Sequence, residues 1–307
     1  MTKTKIDFWG IGAQKAGTNW LFSNLNKLPE FDLPPIKELH YFDRNAAYPS
    51  PDYLEKTLLR ERIFDENYRS KAIRTVGGYL GSKEWKEARF YFKWYFSNYS
   101  DQWYLSLFRG FTGFKGEITP SYSILKTADI ESMYRISPEA KLIFLLRNPV
   151  ERAWSQYRFM TRKIKNFDLK KTSNQEIIDF MESDLQVSRS AYLKTIKKFS
   201  SVFPKEQILI GFYDALQDKP EQLFTEIVQF ITGKTDISTA SLGLKKVVYQ
   251  SKKMDCPAEI EAFLKSKYRE SIEQLAGIYG GYFKQWLSEL YGNAIVKEDF
   301  AATMILK

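Results

Sequence analysis

The sequence predicts a single α/β domain in which helices flank a central, mainly parallel sheet. Three apolar stretches have the length of buried strands, and a stretch with helical periodicity follows each of them; they are residues 6–11, 141–146 and 207–212. Strands that alternate with helices are typical of parallel sheets. The 307 residues show no linker and no internal repeat, so we expect one domain over residues 1–307.

The chain is organised around residues 6–25, which read IDFWGIGAQKAGTNWLFSNL. Their apolar beginning predicts a strand, and the apolar spacing after Thr18 predicts a helix. The turn between the two contains three glycines, Gly10, Gly12 and Gly17. Because glycine permits a tight turn whose amides point inward, and because a helix N-terminus adds unpaired amides, we expect an anion to bind there.

The turn differs from the loop that binds nucleoside triphosphates, which reads G-x-x-x-x-G-K-[ST]. Residues 12–18 fit that frame, but the lysine lies earlier, at Lys15. A magnesium triphosphate site also needs a strand that ends in Asp, whereas the strand 141–146 is followed by Arg147. The fold is therefore expected to be P-loop-like, with fixed cations in place of a metal ion.

The middle of the chain supplies an insertion, one further strand and a helix. Residues 45–110 are rich in aromatic and charged residues and predict a helical insertion that covers the sheet. Residues 111–119 predict a strand that Pro120 stops. Pro149 has the first-turn position of a helix, which puts Ser155 nearly two turns further along.

The C-terminal half alternates helices with one more strand. Residues 174–199 are expected to be helical with a break around residues 186–190. After the strand at 207–212, residues 218–221 open a helix with a capping-box pattern. Residues 257–290 are expected to form a closing helix or pair of helices.

Four motifs occur in a fixed order: AQKAGTNWL in the first turn, KELHYFD at 37–43, GEITPSY at 116–122 and LLRNPVERAWSQY at 145–157. This order resembles the signature of the sulfotransferases that use 3′-phosphoadenosine 5′-phosphosulfate (PAPS). The most similar branch contains the heparan sulfate sulfotransferases, and with a looser match over 202–231 the resemblance covers most of the chain. The chain resembles a bacterial member rather than the Golgi enzymes, which carry a membrane anchor and usually a disulfide.

The resemblance implies a role for each residue around the donor. Lys15 reaches the 5′-phosphosulfate bridge, and the cradle consists of Ala16, Gly17, Thr18 and Asn19. Arg147 and Ser155 hold the 3′-phosphate, which distinguishes PAPS from donors of the ATP type. Lys252 and Lys253 close over the phosphates, and the product is adenosine 3′,5′-bisphosphate.

The base and the acceptor side follow from the second and third motifs. Glu38 matches the catalytic glutamate of the branch, and His40, the only histidine, is its rival as base because its ordinary pKa is better suited. On an extended segment the two side chains would share one face. Glu117 and Tyr122 are expected to line the acceptor side. Relatives have lysine where this chain has Ile118, so the acceptor does not carry over.

The amino-acid composition limits the ligands and the cellular setting that we expect for this chain. The net charge of +9 attracts anions, but no nucleic-acid motif is present, and no stretch is apolar enough to span a membrane. With Cys256 as the only cysteine, no disulfide within the chain and no structural zinc site is expected, which favours a reducing, cytoplasmic setting without a metal.

The prediction is therefore a PAPS-dependent sulfotransferase that acts on a hydroxyl or, less favoured, an amine. A glycan acceptor is favoured by the resemblance, and a lipid or a small secondary metabolite is the alternative. A P-loop kinase, or a basic module that binds nucleotide or polyanion without turnover, remains a more distant alternative. The sequence leaves the oligomeric state open.

Overall fold

The computed structural model describes residues 4–49, 54–162, 164–165, 167–238, 242–245, 254–292 and 299–307. Its centre is a six-stranded sheet with the strand order β2-β3-β1-β4-β5-β6. The strands are β1 (Phe8–Gly12), β2 (Phe31–Asp32), β3 (Phe114–Ile118), β4 (Lys141–Leu146), β5 (Ile208–Phe212) and β6 (Thr303–Ile305). All pairings are parallel except that of β5 with β6, so the mainly parallel sheet is confirmed.

Helices cover the sheet and build the rest of the domain. They are α1 (Thr18–Leu25), α2 (Leu59–Ile63), α3 (Glu66–Gly81), α4 (Trp85–Tyr95), α5 (Asp101–Leu107), α6 (Thr127–Ile136), α7 (Pro149–Thr161), α8 (Asn174–Glu182), α9 (Asp184–Ser190), α10 (Tyr192–Ser200), α11 (Tyr213–Asp218), α12 (Pro220–Thr232), α13 (Ala258–Tyr279) and α14 (Tyr282–Tyr291). A 3₁₀ turn over Pro120–Ile124 follows β3. None of the described helices is long and apolar enough to cross a bilayer.

The central strands bring the predicted motifs together. β1 lies between β3 and β4, with Phe8 opposite both Gly116 and Lys141. Every residue of β1 is buried, as expected for a parallel sheet that is covered on both faces. Since the carboxyl ends of parallel strands meet at one edge, the segments after β1, β3 and β4 converge there.

Two details differ from the sequence prediction. The helical region 174–199 is interrupted at Ser183 and Ala191 rather than around 186–190. The predicted capping box at 218–221 is wrong, because the N-cap of α12 is Lys219 and no side chain caps the helix. Pro220 occupies the first helical position, where its missing N–H costs no hydrogen bond.

The region predicted as an insertion contains the helices α2 to α5, and several of its aromatic residues pack inward at one end. Trp94 and Trp103 pack with ring centroids 5.5 Å apart, and Trp103 in turn lies 5.9 Å from Tyr41. Tyr41 also stacks on Tyr104 of α5 at 4.6 Å. Because Tyr41 follows the predicted base by three residues, the insertion supports the segment that carries it.

Candidate active site

The loop between β1 and α1 has the geometry of an anion cradle. The first hydrogen bond within α1 runs from the amide of Leu21 to the carbonyl of Gly17, at 3.1 Å. The amides of residues 17–20 precede that bond and so lack an acceptor within the helix. They include three of the four predicted cradle residues, Gly17, Thr18 and Asn19. The Ala16 amide is used inside the loop, where it donates to the carbonyl of Ala13 at 3.2 Å.

Gly17 is required at the end of this loop for two reasons. Its φ of +94° lies in the left-handed region, and a Cβ there would lie 2.5 Å from Cδ1 of Leu216. The conformation is strained for any residue with a side chain, and a Cβ would also push the end of the Leu216 side chain aside. Glycine is therefore the residue that fits this position without strain.

The three residues predicted for catalysis share an uncommon backbone conformation. Among the described residues, positive φ outside glycine occurs at Lys15 (+72°), Glu38 (+66°), His40 (+53°) and Lys83 (+61°). Such conformations cost free energy and cluster at functional sites. The expectation that 38 and 40 lie on an extended segment is wrong, yet the two side chains still meet.

Lys15 lies inside a group of cations. Its Nζ is 4.3 Å from the centre of the Phe159 ring on α7. Burial lowers the pKa of Lys15 to about 8, and the charges of three arginines, 147, 158 and 162, add to this effect, while Glu38 opposes it. Positive charges that lie close enough to lower one another's pKa form a strong site for an anion.

The segment after β2 holds a carboxylate–imidazole–carboxylate chain. Nε2 of His40 lies 3.6 Å from Oε2 of Glu38, and its Nδ1 lies 2.8 Å from Oδ2 of Asp43. Ser121 donates to the same Asp43 oxygen at 2.5 Å. Lys37 binds the other oxygen of Glu38. His40 therefore lies between two carboxylates, and of these the Asp43 carboxylate is fully buried.

These contacts set the charges of the pair. Burial would raise the pKa of Glu38, but the hydrogen bond from His40 and the charge of Lys37 outweigh it and lower the pKa to about 2. Burial would lower the pKa of His40, but the two carboxylates, Asp43 and Glu38, raise it to about 10. Near neutral pH, Glu38 is ionised and His40 is an imidazolium. Asp43 belongs to the motif at 37–43, but no role was predicted for it from the sequence.

Arg147 lies directly after β4, as predicted. Its guanidinium binds Glu151 through Nε at 3.0 Å and Nη2 at 2.9 Å, and Cζ lies 4.3 Å from the centre of the Tyr213 ring. Ser155 is buried nearly two turns into α7. Ser155 and Phe159 are four residues apart, so they share one face of α7 with the ring beneath Lys15. Lys252 and Lys253 lie outside the described residues.

Glu117 and Tyr122 are buried in the interior, which corrects the expectation that they line the acceptor side. Glu117 accepts hydrogen bonds from the hydroxyls of Tyr104, Thr119 and Tyr122 and from the amide of Leu39. Tyr122 in turn accepts from the amide of Tyr41 at 2.9 Å. The pair therefore anchors the segment that carries Glu38 and His40, and neither side chain reaches the surface.

Two arginines that sequence reasoning did not assign lie at the site. Arg189 of α9 is buried and donates to Oε1 of Gln14 in the loop. Burial and the charge of Arg152 lower the pKa of Arg189 to about 10, and the charges of Asp43 and Glu38 act against this. Arg158 of α7 interacts electrostatically with Arg147 and Lys15. No local pattern separates either arginine from other helical arginines.

The site combines a cluster of cations with an ionised carboxylate at one edge of the sheet. Such an arrangement can bind a polyanion and receive a proton from a hydroxyl that attacks it. Within the part of the chain that the structure describes, no group of three or more His, Cys, Asp or Glu residues is placed to hold a metal ion.

Comparisons with known proteins agree with this chemistry. The sulfotransferase domain family matches residues 5–304. Carbohydrate sulfotransferase 15 of Rattus norvegicus is 26% identical over 243 residues, which is 66% of this chain and 39% of that protein. The mouse protein of the same name is 25% identical over the same length. The chain thus spans about two fifths of the length of these curated relatives.

Solved structures show the same fold. A sulfotransferase from Alicyclobacillus acidocaldarius superposes with a TM-score of 0.59 at 22% identity, over 89% of this chain and 95% of that one. The sulfotransferase domain from the curacin biosynthetic pathway gives a TM-score of 0.51 at 16% identity, over 85% and 83% of the two chains. With the family match over almost the whole length, the chain belongs to the sulfotransferase domain family.

Proposed function

We propose that this chain transfers the sulfuryl group of PAPS to a hydroxyl of a glycan. The family match supports the transfer of a sulfuryl group. The carbohydrate named for the curated relatives supports a glycan as acceptor. The observation that carries the proposal is the position of Lys15, which lies among three arginines and acts electrostatically on the ionised Glu38.

Two anionic groups of PAPS, the 5′-phosphosulfate and the 3′-phosphate, each match a set of residues in the site. The amides of residues 17–20 and the Lys15 ammonium suit the 5′-phosphosulfate, where negative charge grows as the bisphosphate leaves. Arg147 and the Ser155 hydroxyl suit the 3′-phosphate, because a guanidinium and a hydroxyl together recognise a dianion. The phosphate would compete with Glu151 for Arg147.

The reaction is an in-line displacement at sulfur. A bond forms between the acceptor oxygen and sulfur while the bond from sulfur to the 5′-phosphate oxygen breaks, and adenosine 3′,5′-bisphosphate leaves. The hydroxyl proton passes to a carboxylate oxygen of Glu38. Positioning and charge compensation supply the rate enhancement, as they do in phosphoryl transfer.

Glu38 is the better base because of the charges in the site. At neutral pH it carries no proton, whereas His40 already carries one on the nitrogen that faces Glu38. His40 is therefore suited to hold the carboxylate in place and to stabilise its orientation. Asp43 in turn holds His40.

The test is calorimetric binding of adenosine 3′,5′-bisphosphate, 5′-AMP and ATP, with and without magnesium. We expect metal-independent preference for the bisphosphate. Arg147→Ala should lose about tenfold or more in affinity for the bisphosphate and little for 5′-AMP, since the lost contact is a charged hydrogen bond. Equal losses for both ligands would refute the 3′-phosphate role, and preference for magnesium-ATP would refute PAPS as donor.

A further inference from the structure

The outer side of the insertion bears an apolar face that nothing in the described chain covers. Four large apolar side chains of α3 and α4 are exposed: Ile73 (59%), Leu80 (45%), Trp85 (66%) and Phe92 (57%). We call them the outer face of the helical hairpin, which is the pair α3 and α4. Scattered exposed apolar residues are ordinary, but a contiguous set on one side marks a binding surface.

The packing of the hairpin shows that the four side chains share a side. Tyr79 stacks on Tyr91 with centroids 4.9 Å apart, and Tyr68 packs on Tyr95 at 5.6 Å, so the helices are antiparallel. Residues 73 and 80 are two turns apart on α3, and residues 85 and 92 are two turns apart on α4. On each helix, the exposed pair is rotated by roughly a quarter turn, in the direction of the chain, from the residues that pack between the two helices. Because the helices are antiparallel, this rotation brings both exposed pairs to the same side of the hairpin.

The opposite side of the hairpin is the one attached to the domain. Phe90 is buried in the main core, and Trp94 packs against Trp103 of α5. These two residues follow the outer-face positions of α4 by more than a quarter turn and point away from them. The outer face therefore lies on the side of the hairpin that points away from the domain.

The charge of the hairpin indicates what it binds. Residues 66–95 contain seven Lys or Arg and three Asp or Glu, a net +4 of the chain's +9. Three of the basic residues, Arg69, Lys83 and Arg89, are exposed beside or at the tip of the outer face. Aromatic and aliphatic residues bordered by basic ones are the pattern of a surface that lies on anionic lipid.

We propose that the outer face of the helical hairpin docks on an anionic lipid surface. The four apolar side chains enter the interface between headgroups and acyl chains, with Trp85 at the tip, and the basic residues contact the phosphates. A second copy of the chain fits less well, since it would bring two hairpins of net +4 together. The site chemistry plays no part in this proposal, which stands on the hairpin alone.

The test is sedimentation of the full chain with vesicles of phosphatidylcholine, with and without about 30% phosphatidylglycerol. We expect binding to the mixed vesicles at least about tenfold stronger than to pure phosphatidylcholine, and weaker binding at 0.5 M salt. Phe92→Asp and Trp85→Asp should each weaken binding about tenfold. Ile278→Asp on α13 is the matched control, because Ile278 is also 57% exposed, and it should change binding less than about twofold.

Three results would overturn the proposal. One is equal affinity for both vesicle types, and another is binding that Phe92→Asp and Ile278→Asp weaken equally. The third is a dimer, detected by light scattering, that Phe92→Asp dissociates, since the outer face would then bind a second copy. Circular dichroism and thermal unfolding of each variant check that the exposed substitutions leave the fold intact.

Replacing Lys83 by Gln should weaken binding more than Lys284→Gln, which changes an exposed lysine on α14.

Discussion

Lys15 has a pKa that makes donor binding dependent on pH. Because its pKa is lowered to about 8, the free enzyme loses this charge as the pH rises through 8. A bound anion stabilises the ammonium, so binding near pH 8 should take up a proton. We expect the affinity for adenosine 3′,5′-bisphosphate to fall between about pH 7.5 and pH 9.5. Calorimetry in buffers of different ionisation enthalpy measures both the affinity and the proton uptake.

The variant Lys15→Ala provides the control for this prediction. It should bind the bisphosphate with no inflection near pH 8, and it should lower kcat about 10²- to 10³-fold with the fold retained, as loss of one transition-state donor does. An inflection that persists in Lys15→Ala would assign the titration to another group. An unchanged kcat would remove Lys15 from the mechanism.

The dependence of kcat on pH differs according to whether Glu38 or His40 is the base. With a pKa of about 2 for Glu38 and about 10 for His40, neither changes charge between pH 5 and 8, and kcat should be flat there. A base with an ordinary histidine pKa would instead give a rise through about pH 6.5. Such a rise, abolished by His40→Ala, would make His40 the base.

Substitution separates the same two roles. Glu38→Gln should lower kcat about 10²- to 10⁴-fold, as expected when a general base is lost, and leave bisphosphate affinity within a few fold. His40→Ala should lower kcat less, because Glu38 remains ionised without its partner. A larger loss in His40→Ala than in Glu38→Gln contradicts the assignment. Steady-state kinetics with a saturating donor gives both values.

At the scale of elements, Glu117 joins three parts of the site. It lies on β3 and binds Tyr104 of α5, Tyr122 of the 3₁₀ turn and the backbone at Leu39. Glu117→Ala leaves these buried donors without an acceptor, so we expect a loss of about 3 kcal/mol or more in the free energy of unfolding. Urea unfolding measures it, with the exposed Glu131→Ala as control. A loss below about 0.5 kcal/mol would show that the donors find water or other partners.

The same elements show what could be predicted from sequence. β4 and α7 follow from local signals, namely an uninterrupted apolar run over 141–146 and Pro149 at the first helical position. The turn between β1 and α1 follows from its glycines. β6 has three residues and pairs antiparallel with β5 across almost a hundred residues, and no local pattern marks it.

The parts of the site that were missed depend on contacts between distant residues. Arg189 meets Gln14 across 175 positions, and Glu117 meets Leu39 across 78. Burial of Glu117 depends on donors from three separate elements, so its motif alone suggested an exposed role. The charges of Glu38 and His40 likewise depend on each other and on Asp43, and the contacts among these three side chains do not follow from the local sequence.

At the scale of the whole molecule, the net charge of +9 should accelerate the encounter with an anionic donor. The cations around Lys15 concentrate part of this charge at the carboxyl edge of the sheet. Salt screens the long-range attraction over about 10 Å at 0.1 M, whereas contacts inside the buried site are screened much less. The two effects can therefore be separated by kinetics.

We expect kcat/KM for the donor to fall several-fold between about 25 and 250 mM sodium chloride, with kcat nearly constant. Stopped-flow association of the bisphosphate should show that the on-rate carries most of the change, because steering acts before contact. Sucrose at matched osmolarity is the control for non-ionic effects. A parallel fall of kcat would mean that salt disrupts the site itself. A salt-independent kcat/KM would mean that the surplus positive charge lies too far from Lys15 to guide the donor.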